Sequence, residues 1–148
     1  MLQSSFYYAR LGAEYKVPSD GYGDDVRELT DREPFLNLRP NQFVSIRTHE
    51  AFSLSYGLRA EIHQIGSLSR LGLEVVSGGV VDPGFPGPGQ IGYLNFGLKN
   101  MNESTASIRI NEIIVKIEFF DVGDAEIEPV KPGILASKFA ASGFKIPT

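Results

Sequence analysis

Short segments in which apolar and polar residues alternate recur from residue 6 to residue 119, and they constrain the fold more than any other feature of the chain. A period of two is typical of strands that bury one face. Between the segments lie many of the 16 glycines and 9 prolines, which favour turns over long helices. We predict strands over residues 6–11, 35–38, 42–48, 58–62, 90–100, 107–110 and 113–119, and one short helix near 67–71. Such a pattern predicts an all-β barrel or sandwich.

Two of these segments indicate which residues form the core. In residues 42–48, Val44 and Ile46 alternate with the more polar face of Phe43, Ser45 and Arg47. In residues 90–100, one face carries Leu94, Phe96 and Leu98, and the other carries Ile91, Tyr93 and Asn95. The apolar row fits burial either in the core or at an interface with another subunit. Residues 17–34 are polar, and we predict a long excursion or flap there.

The stretch from residue 66 to residue 85 places two turns close together. Residues 71–76 alternate as a half-buried strand does, and Gly78-Gly79 predicts a tight hairpin after it. Residues 80–81 resume an extended path, and Asp82-Pro83-Gly84 makes a second turn. We expect the two turns to present side chains and backbone N–H groups to a shared concavity.

Composition excludes several classes of function. The net charge is −4 and no basic block exceeds two residues, which argues against nucleic acid as a partner. Without cysteine there are no disulfides or thiolates, and with only two histidines we expect no structural zinc site and no metal ligands. No apolar run approaches 18 residues and no signal-like N-terminus occurs, so we expect a cytoplasmic protein that does not bind a membrane. We expect a single domain over residues 1–148, with 121–148 as a C-terminal tail or arm.

Two short motifs carry a family resemblance. Arg70-Leu71-Gly72-Leu73 and Asp82-Pro83-Gly84-Phe85 together resemble the dCTP deaminase branch of the dUTPase-like superfamily. Residues 8–12, residues 38–43 and Asn100 resemble further family segments in the same order. The resemblance implies a β-clip or distorted jelly-roll barrel with very little helix. It also implies a homotrimer with sites between subunits, a deoxypyrimidine nucleotide as ligand, and no cofactor beyond Mg²⁺ accompanying a nucleotide triphosphate.

The residues that the resemblance would make catalytic are partly missing. Aligned on residues 70–73, Ile65 and Gly66 stand where the deaminases have an arginine and a serine, whereas Ser67 and Arg70 match. The family's catalytic glutamate corresponds to Gly97. No aspartate or glutamate occurs in residues 86–98 to replace it. Losing a positioned acid/base costs about 10²–10⁴-fold in rate, so the motifs predict a protein without the usual deaminase mechanism.

A resemblance to dUTPases implies a role for the second turn. Asp82 matches the aspartate that activates water against the α-phosphate, and Phe85 matches the aromatic residue that packs on the deoxyribose. The competing interpretation makes Asp82 a turn residue that bonds to its own backbone. Residues 21–25 resemble a dUTPase motif but also suit a solvated loop, and residues 138–142 faintly resemble the family's closing arm.

Two hypotheses remain open. In the first, catalysis is lost and a trimeric binding or scaffold module holds a nucleotide through Ser67, Arg70, Asp82 and Phe85. In the second, an active deoxypyrimidine-nucleotide hydrolase or deaminase uses relocated residues, with Asp82, His63 and Glu74 as candidates. As a lone histidine, His63 also suits a surface or supporting role. Glu74 should point away from Leu73 and Val75.

Overall fold

A computed structural model describes residues 4–19, 23–76 and 79–123. In this part of the chain it shows ten strands and one short helix. They are β1 (Ser4–Pro18), β2 (Asp24–Glu28), β3 (Phe35–Leu38), β4 (Phe43–Phe52), β5 (Leu58–Gln64), α1 (Gly66–Arg70), β6 (Leu73–Val76), β7 (Val80–Val81), β8 (Gly92–Asn100), β9 (Ala106–Arg109) and β10 (Ile113–Asp121). The predicted all-β fold with very little helix is confirmed. In the described ranges no helix is both long and apolar enough to cross a membrane.

Antiparallel pairing joins most strands into one large sheet. Its order is β6-β8-β4-β1-β10-β5-β7, and β2 pairs with the far end of β1. Strands β3 and β9 form a separate two-stranded sheet. The large sheet curls into a half-barrel around the apolar faces of its strands. Pairings between strands distant in sequence therefore decide which loops meet at its ends.

The core contains the faces that alternation predicts. Val44 and Ile46 are buried, and so is the row of Leu94, Phe96 and Leu98. Because the sheet and its neighbours cover this row within one chain, its apolarity needs no subunit interface. In β10, Ile114 and Val115 are both buried, against simple alternation. A register shift between Ala9 and Arg10 leaves Ile114 without its own partner, as in a β-bulge, so consecutive side chains face inward.

Two local predictions are wrong. The polar excursion over residues 17–34 contains β2, because β1 continues to Pro18 and offers an edge with which Asp24–Glu28 pairs. The strands on either side of Gly78-Gly79 do not pair with each other as the predicted hairpin requires, because β6 pairs with β8 whereas β7 pairs with β5. Gly78 itself lies outside the described ranges. With four and two residues, β6 and β7 gain more hydrogen bonds on the edges of longer strands than from each other.

Several predictions concern residues outside the described ranges. Residues 21 and 22 of the dUTPase-like motif, residues 124–148 of the predicted tail, and the arm-like segment 138–142 all lie there. The single-domain interpretation of residues 1–148 stays a prediction.

Candidate functional site

A pocket of about 710 Å³ opens beside the second predicted turn. This volume lies in the range of about 300–1,000 Å³ that is usual for small-molecule sites. Four parts of the chain form its walls: the loop before β5, the middle of β5 with β7, the loop after β7, and the start of β8. Its lining includes Tyr56, Ile62, Val80, Asp82, Phe85, Pro86, Tyr93 and Asn95. The predicted concavity is therefore present, and Gly79 of the first predicted turn lines it together with the second turn.

Backbone hydrogen bonds hold the turn at the pocket wall. Phe85 N–H donates to the Asp82 carbonyl over 3.2 Å, and Gly84 N–H donates to the Ser55 carbonyl over 3.2 Å. Leu54 N–H donates to the Phe85 carbonyl over 2.9 Å. The Tyr56 ring lies directly on Gly84, where a Cβ would come within 2.6 Å of it. The loop before β5 and the turn after β7 therefore form one unit.

Asp82 and Phe85 both line this pocket. Phe85 is half-buried and packs against the core. Asp82 is exposed, and among the described residues its carboxylate makes no side-chain hydrogen bond. The turn is closed by the Asp82 carbonyl, so its carboxylate does not serve the local backbone bond that the turn interpretation requires. Asp82 thus lines the pocket with a carboxylate that accepts no hydrogen bond from the described residues.

Ser67 and Arg70 lie elsewhere. Both are exposed on α1, and neither lines the pocket. Val81, next to Asp82, pairs with Ala60 near the start of β5, whereas α1 follows the end of that strand at Gln64. The four residue steps from Ala60 to Gln64 span about 13 Å at about 3.3 Å per residue. Within one chain, Asp82 and Phe85 therefore line the same pocket, and Ser67 and Arg70 lie away from it.

A set of polar contacts that sequence reasoning missed fixes α1 against the sheet. The Gln64 side chain donates to Ser69 Oγ (2.7 Å) and to the Leu73 carbonyl (3.0 Å), and it accepts from Val75 N–H (2.8 Å). Gly72 has a φ of +73°, and a Cβ there would overlap the Asn102 side chain. Packing against Asn102 therefore explains the glycine of the Arg-Leu-Gly-Leu motif without a ligand.

At Gly97, which the resemblance aligns with the family's catalytic glutamate, a neighbouring side chain fills the space. Gly97 is buried on β8, between Ser45 of β4 and Val76 of β6. A Cβ built on Gly97 would lie 2.3 Å from Cε2 of Phe43 and 3.0 Å from the Val76 carbonyl oxygen. The Phe43 ring therefore takes the space that a side chain at position 97 would need. Only the tertiary structure reveals this replacement, because Phe43 is remote in sequence.

His63 and Glu74, the other candidates for relocated catalysis, do not line the pocket. Glu74 is exposed and lies opposite Lys99, while Leu73 is buried, as alternation predicts. His63 faces away from the core beside two glutamates, Glu61 and Glu118. The i, i+2 spacing of Glu61 and His63 places them on one face of a strand, but Glu118 is found only from the pairing of β5 with β10.

Away from the pocket, Arg10 and Glu50 form an ion pair beside the bulge of β1. Glu50 Oε2 accepts from Arg10 N–H (2.9 Å), and Oε1 accepts from Arg10 Nε (2.7 Å). Burial by itself would raise the pKa of Glu50, but the hydrogen bonds from Arg10 outweigh it and hold the pKa below its ordinary value.

This lowered pKa predicts a pH-dependent stability. Because the folded-state pKa of Glu50 lies below the unfolded value, its contribution is present above about pH 4.3 and is lost as the pH falls through the folded-state pKa. We expect Glu50→Gln to destabilise the protein most at neutral pH, with a difference from wild type that shrinks on acidification. Urea denaturation at pH 7 and pH 3.5 measures this, with the exposed Glu103→Gln as control. A difference that grows on acidification would contradict the prediction.

Comparison with known proteins adds sequence relatives. A family model described as dCTP deaminase-like matches residues 5–122. The dUMP-forming dCTP deaminase of Dictyoglomus turgidum is 32% identical over 124 residues, covering 80% of this chain and 61% of the relative. That of Corynebacterium efficiens is 30% identical over 113 residues, covering 76% of this chain and 55% of the relative. The chain thus spans between half and two thirds of the length of these deaminases.

Solved structures share the fold. The crystal structure of 2′-deoxycytidine 5′-triphosphate deaminase from Agrobacterium tumefaciens matches with a TM-score of 0.62 at 13% identity, over 95% of this chain and 49% of that one. The native EIAV dUTPase matches with a TM-score of 0.50 at 12% identity, over 88% of this chain and 98% of that one. These likenesses confirm the predicted dUTPase-like β-clip fold.

Proposed function

The chain belongs to the dCTP deaminase-like family, and from that premise we propose that it binds a deoxypyrimidine nucleotide without deaminating it. The observation that carries this proposal is the exchange at position 97, where the family's glutamate is replaced by glycine and Phe43 fills the space. A deaminase must move a proton from water to the departing amine, which requires an acid/base group at that point. No carboxylate from residues 86–98 is available to take over.

The pocket beside Asp82 supports retained binding. It combines a half-buried aromatic ring, Phe85, with an exposed carboxylate on a turn held by backbone bonds. An aromatic face suits the deoxyribose, and a carboxylate can accept a hydrogen bond from a sugar hydroxyl. The named relatives act on dCTP and form dUMP, which suggests a deoxypyrimidine nucleotide as the ligand class. Mg²⁺ would accompany the phosphates and would not be held by the protein.

We further propose that the complete site is shared between subunits of a homotrimer. Within one chain, α1 with Ser67 and Arg70 lies at the other end of β5 from Asp82. A neighbouring copy could place its own Arg70 against the phosphates of a nucleotide held at Asp82 and Phe85. This arrangement accounts for a binding motif whose parts do not meet in one chain. We assign the protein to the cytoplasm, the location expected from its sequence.

An active dUTPase-like enzyme is the second candidate. The uncommitted carboxylate of Asp82 favours it, because an aspartate in that position could activate water against a phosphate. The two candidates make opposite predictions about product formation. Incubation with dCTP or dUTP and Mg²⁺, analysed for deaminated nucleotide, monophosphate and pyrophosphate, separates them.

We expect binding of dCTP or dUTP with Mg²⁺ and no product. Calorimetric titration should show that Phe85→Ala and Asp82→Asn each weaken binding about tenfold, since a lost ring contact or charge-assisted hydrogen bond is worth about 1.4 kcal/mol. Matched controls are Phe35→Ala and Asp31→Asn, which are exposed and outside the pocket. Turnover that disappears in Asp82→Asn would establish the enzyme instead, and unchanged binding in both pocket variants would refute the site.

A mixing experiment tests whether the site is shared. Arg70→Ala and Asp82→Asn subunits, each deficient in binding, are unfolded together in equal amounts and refolded. If Arg70 and Asp82 come from adjacent subunits, about a quarter of the sites regain both residues. If both residues serve one chain, no binding returns. The oligomer mass, measured by light scattering on the same samples, shows whether trimers form.

A further inference from the structure

Three potential metal ligands converge on the outer face of strands β5 and β10, away from the nucleotide pocket. His63 Nε2 lies 3.1 Å from Glu118 Oε2 and 3.5 Å from Glu61 Oε2. The three ligand atoms all lie within 4.8 Å of one another. All three residues are partly buried. Nothing in the proposed nucleotide site uses this cluster.

Strand pairing explains why the three side chains meet. Glu61 and His63 are two residues apart on β5 and therefore point to the same face. Glu118 pairs directly with Glu61 in the register of β10, so it projects from the same face beside them. Ala60, which precedes Glu61 on β5, points to the opposite face of the strand and is buried in the core. The ligands thus stand on two neighbouring strands of a hydrogen-bonded sheet, which holds their spacing.

The distances suit tetrahedral coordination. Zinc–ligand bonds of about 2.0–2.2 Å at tetrahedral angles separate adjacent ligand atoms by about 3.3–3.6 Å. The separations of His63 from Glu118 and Glu61, 3.1 Å and 3.5 Å, lie near this range, and the Glu61 and Glu118 ligand atoms lie within 4.8 Å of each other. We propose that Glu61, His63 and Glu118 form a binding site for a divalent transition-metal ion of the Zn²⁺ type. Counting cysteines and histidines does not reveal it, because two of its three ligands are carboxylates.

A neighbouring cation orients one of the ligands. Arg59 Nη1 lies 3.3 Å from Glu61 Oε1, which leaves Glu61 Oε2 directed at His63. The Arg59 guanidinium in turn stacks 4.6 Å from the centre of the Phe120 ring. Such outer contacts typically position metal-binding carboxylates. Arg59 therefore fixes the Glu61 carboxylate without occupying the oxygen that the ion would need.

Lys116, the second cation near the cluster, places its ammonium group over an aromatic ring. Lys116 pairs with His63 across the strands, but its Nζ lies 4.4 Å from the centre of the Phe6 ring. No ion pair joins Lys116 to Glu118 among the described residues. Two carboxylates with only the Arg59 guanidinium in contact give the cluster a negative charge toward an incoming cation.

The ligand types favour a transition metal over Mg²⁺ or Ca²⁺. Imidazole nitrogen suits Zn²⁺ and similar ions, whereas Mg²⁺ and Ca²⁺ prefer all-oxygen surroundings with six or more ligands. Three protein ligands leave a tetrahedral ion one position for water. The ion expected in this cluster therefore differs from the Mg²⁺ that would accompany a nucleotide triphosphate.

Calorimetric titration of the full chain with ZnCl₂ tests the proposal, with MgCl₂ in a parallel titration and the absorption spectrum of added Co²⁺ as a second readout. We expect one equivalent of Zn²⁺ per chain, no comparable uptake of Mg²⁺, and a tetrahedral Co²⁺ spectrum. His63→Gln and Glu118→Gln should each weaken Zn²⁺ binding at least about tenfold, since even changes outside the ligand shell cost about 10–100-fold. His49→Gln replaces the other histidine, which is exposed on β4, and should change nothing.

Three outcomes would overturn the proposal. The first is no Zn²⁺ uptake by the wild-type chain, which would leave the cluster as hydrogen bonds and ion pairs only. The second is equal affinity in the wild type and His63→Gln. The third is loss of binding in His49→Gln, which would place the ion elsewhere. Circular dichroism of each variant ensures that a loss of binding does not reflect a loss of fold.

Discussion

Replacing Asn100 with aspartate is expected to lower the free energy of unfolding by about 4 kcal/mol, because it would place a carboxylate against several carbonyl oxygens. Asn100 is fully buried at the end of β8. Its Nδ2 donates to the carbonyls of Leu38 (2.9 Å), Arg39 (3.2 Å) and Ser104 (2.9 Å). Aspartate has almost the same shape but offers these acceptors no proton when ionised.

The other side of Asn100 adds to this expectation. Asn100 Oδ1 accepts from the backbone N–H of Asn102 and from its side chain, over 2.9 Å and 3.0 Å. These bonds join the end of β3 to the turn after β8, and the Asn102 side chain in that turn lies against Gly72, which follows α1. Disturbing Asn100 should therefore loosen α1 as well as the sheet, which hydrogen exchange of residues 66–72 would detect.

Urea denaturation of Asn100→Asp at neutral pH measures the loss. Asn95→Asp is the matched control, since it makes the same change at an exposed position of the same strand and should alter stability by less than about 0.5 kcal/mol. Acidification that protonates the new carboxyl should reduce the deficit, because a protonated acid regains one donor. A loss below 1 kcal/mol at neutral pH would contradict the buried-donor explanation.

The second large effect is expected at the position of the missing glutamate. We expect Gly97→Ala to cost about 2 kcal/mol of stability, because the new Cβ would lie 2.3 Å from the Phe43 ring and must displace it. In a Phe43→Ala background the same substitution should cost less than about 1 kcal/mol. A double-mutant cycle from urea denaturation would then give a coupling of at least about 1 kcal/mol between the two positions.

The control for this cycle is Gly66→Ala. Gly66 begins α1, and a Cβ there meets nothing within 4 Å, so the substitution should be neutral or slightly stabilising. Additive costs at positions 97 and 43 would show that the ring does not occupy the side-chain space of Gly97. That result would remove the structural support for the proposal that Phe43 fills this position, but the sequence would still have no glutamate there.

Local patterns predicted the core residues correctly in strands that bury one face and expose the other. Alternation in β4 and β8 identified Val44, Ile46, Leu94, Phe96 and Leu98 as core residues, and all five are buried. The pattern failed at Ile114, where a bulge turns two consecutive side chains inward. It also missed β2, whose five residues are all exposed and so carry no burial signal.

The candidate site was predictable only in part. The Asp-Pro-Gly-Phe motif located the turn at the pocket, but Tyr56, Tyr93 and Asn95 come from other loops and strands and share no local signal with it. The predicted hairpin pairing of β6 with β7 is wrong for a related reason. A glycine pair permits a tight turn, whereas the choice of strand partner depends on edges offered by distant segments.

The amino-acid sequence by itself determined the all-β class, the family and the absence of an acid at position 97. These follow from residue types and from a period of two, which a few consecutive residues express. Only the tertiary structure decided that Phe43 fills the space beside Gly97, and that Asn100 meets Leu38, 62 residues away. It also brought His63 to Glu118, 55 residues away. Such contacts depend on the order and register of strands in the sheet, which burial and hydrogen bonding settle over the whole chain at once.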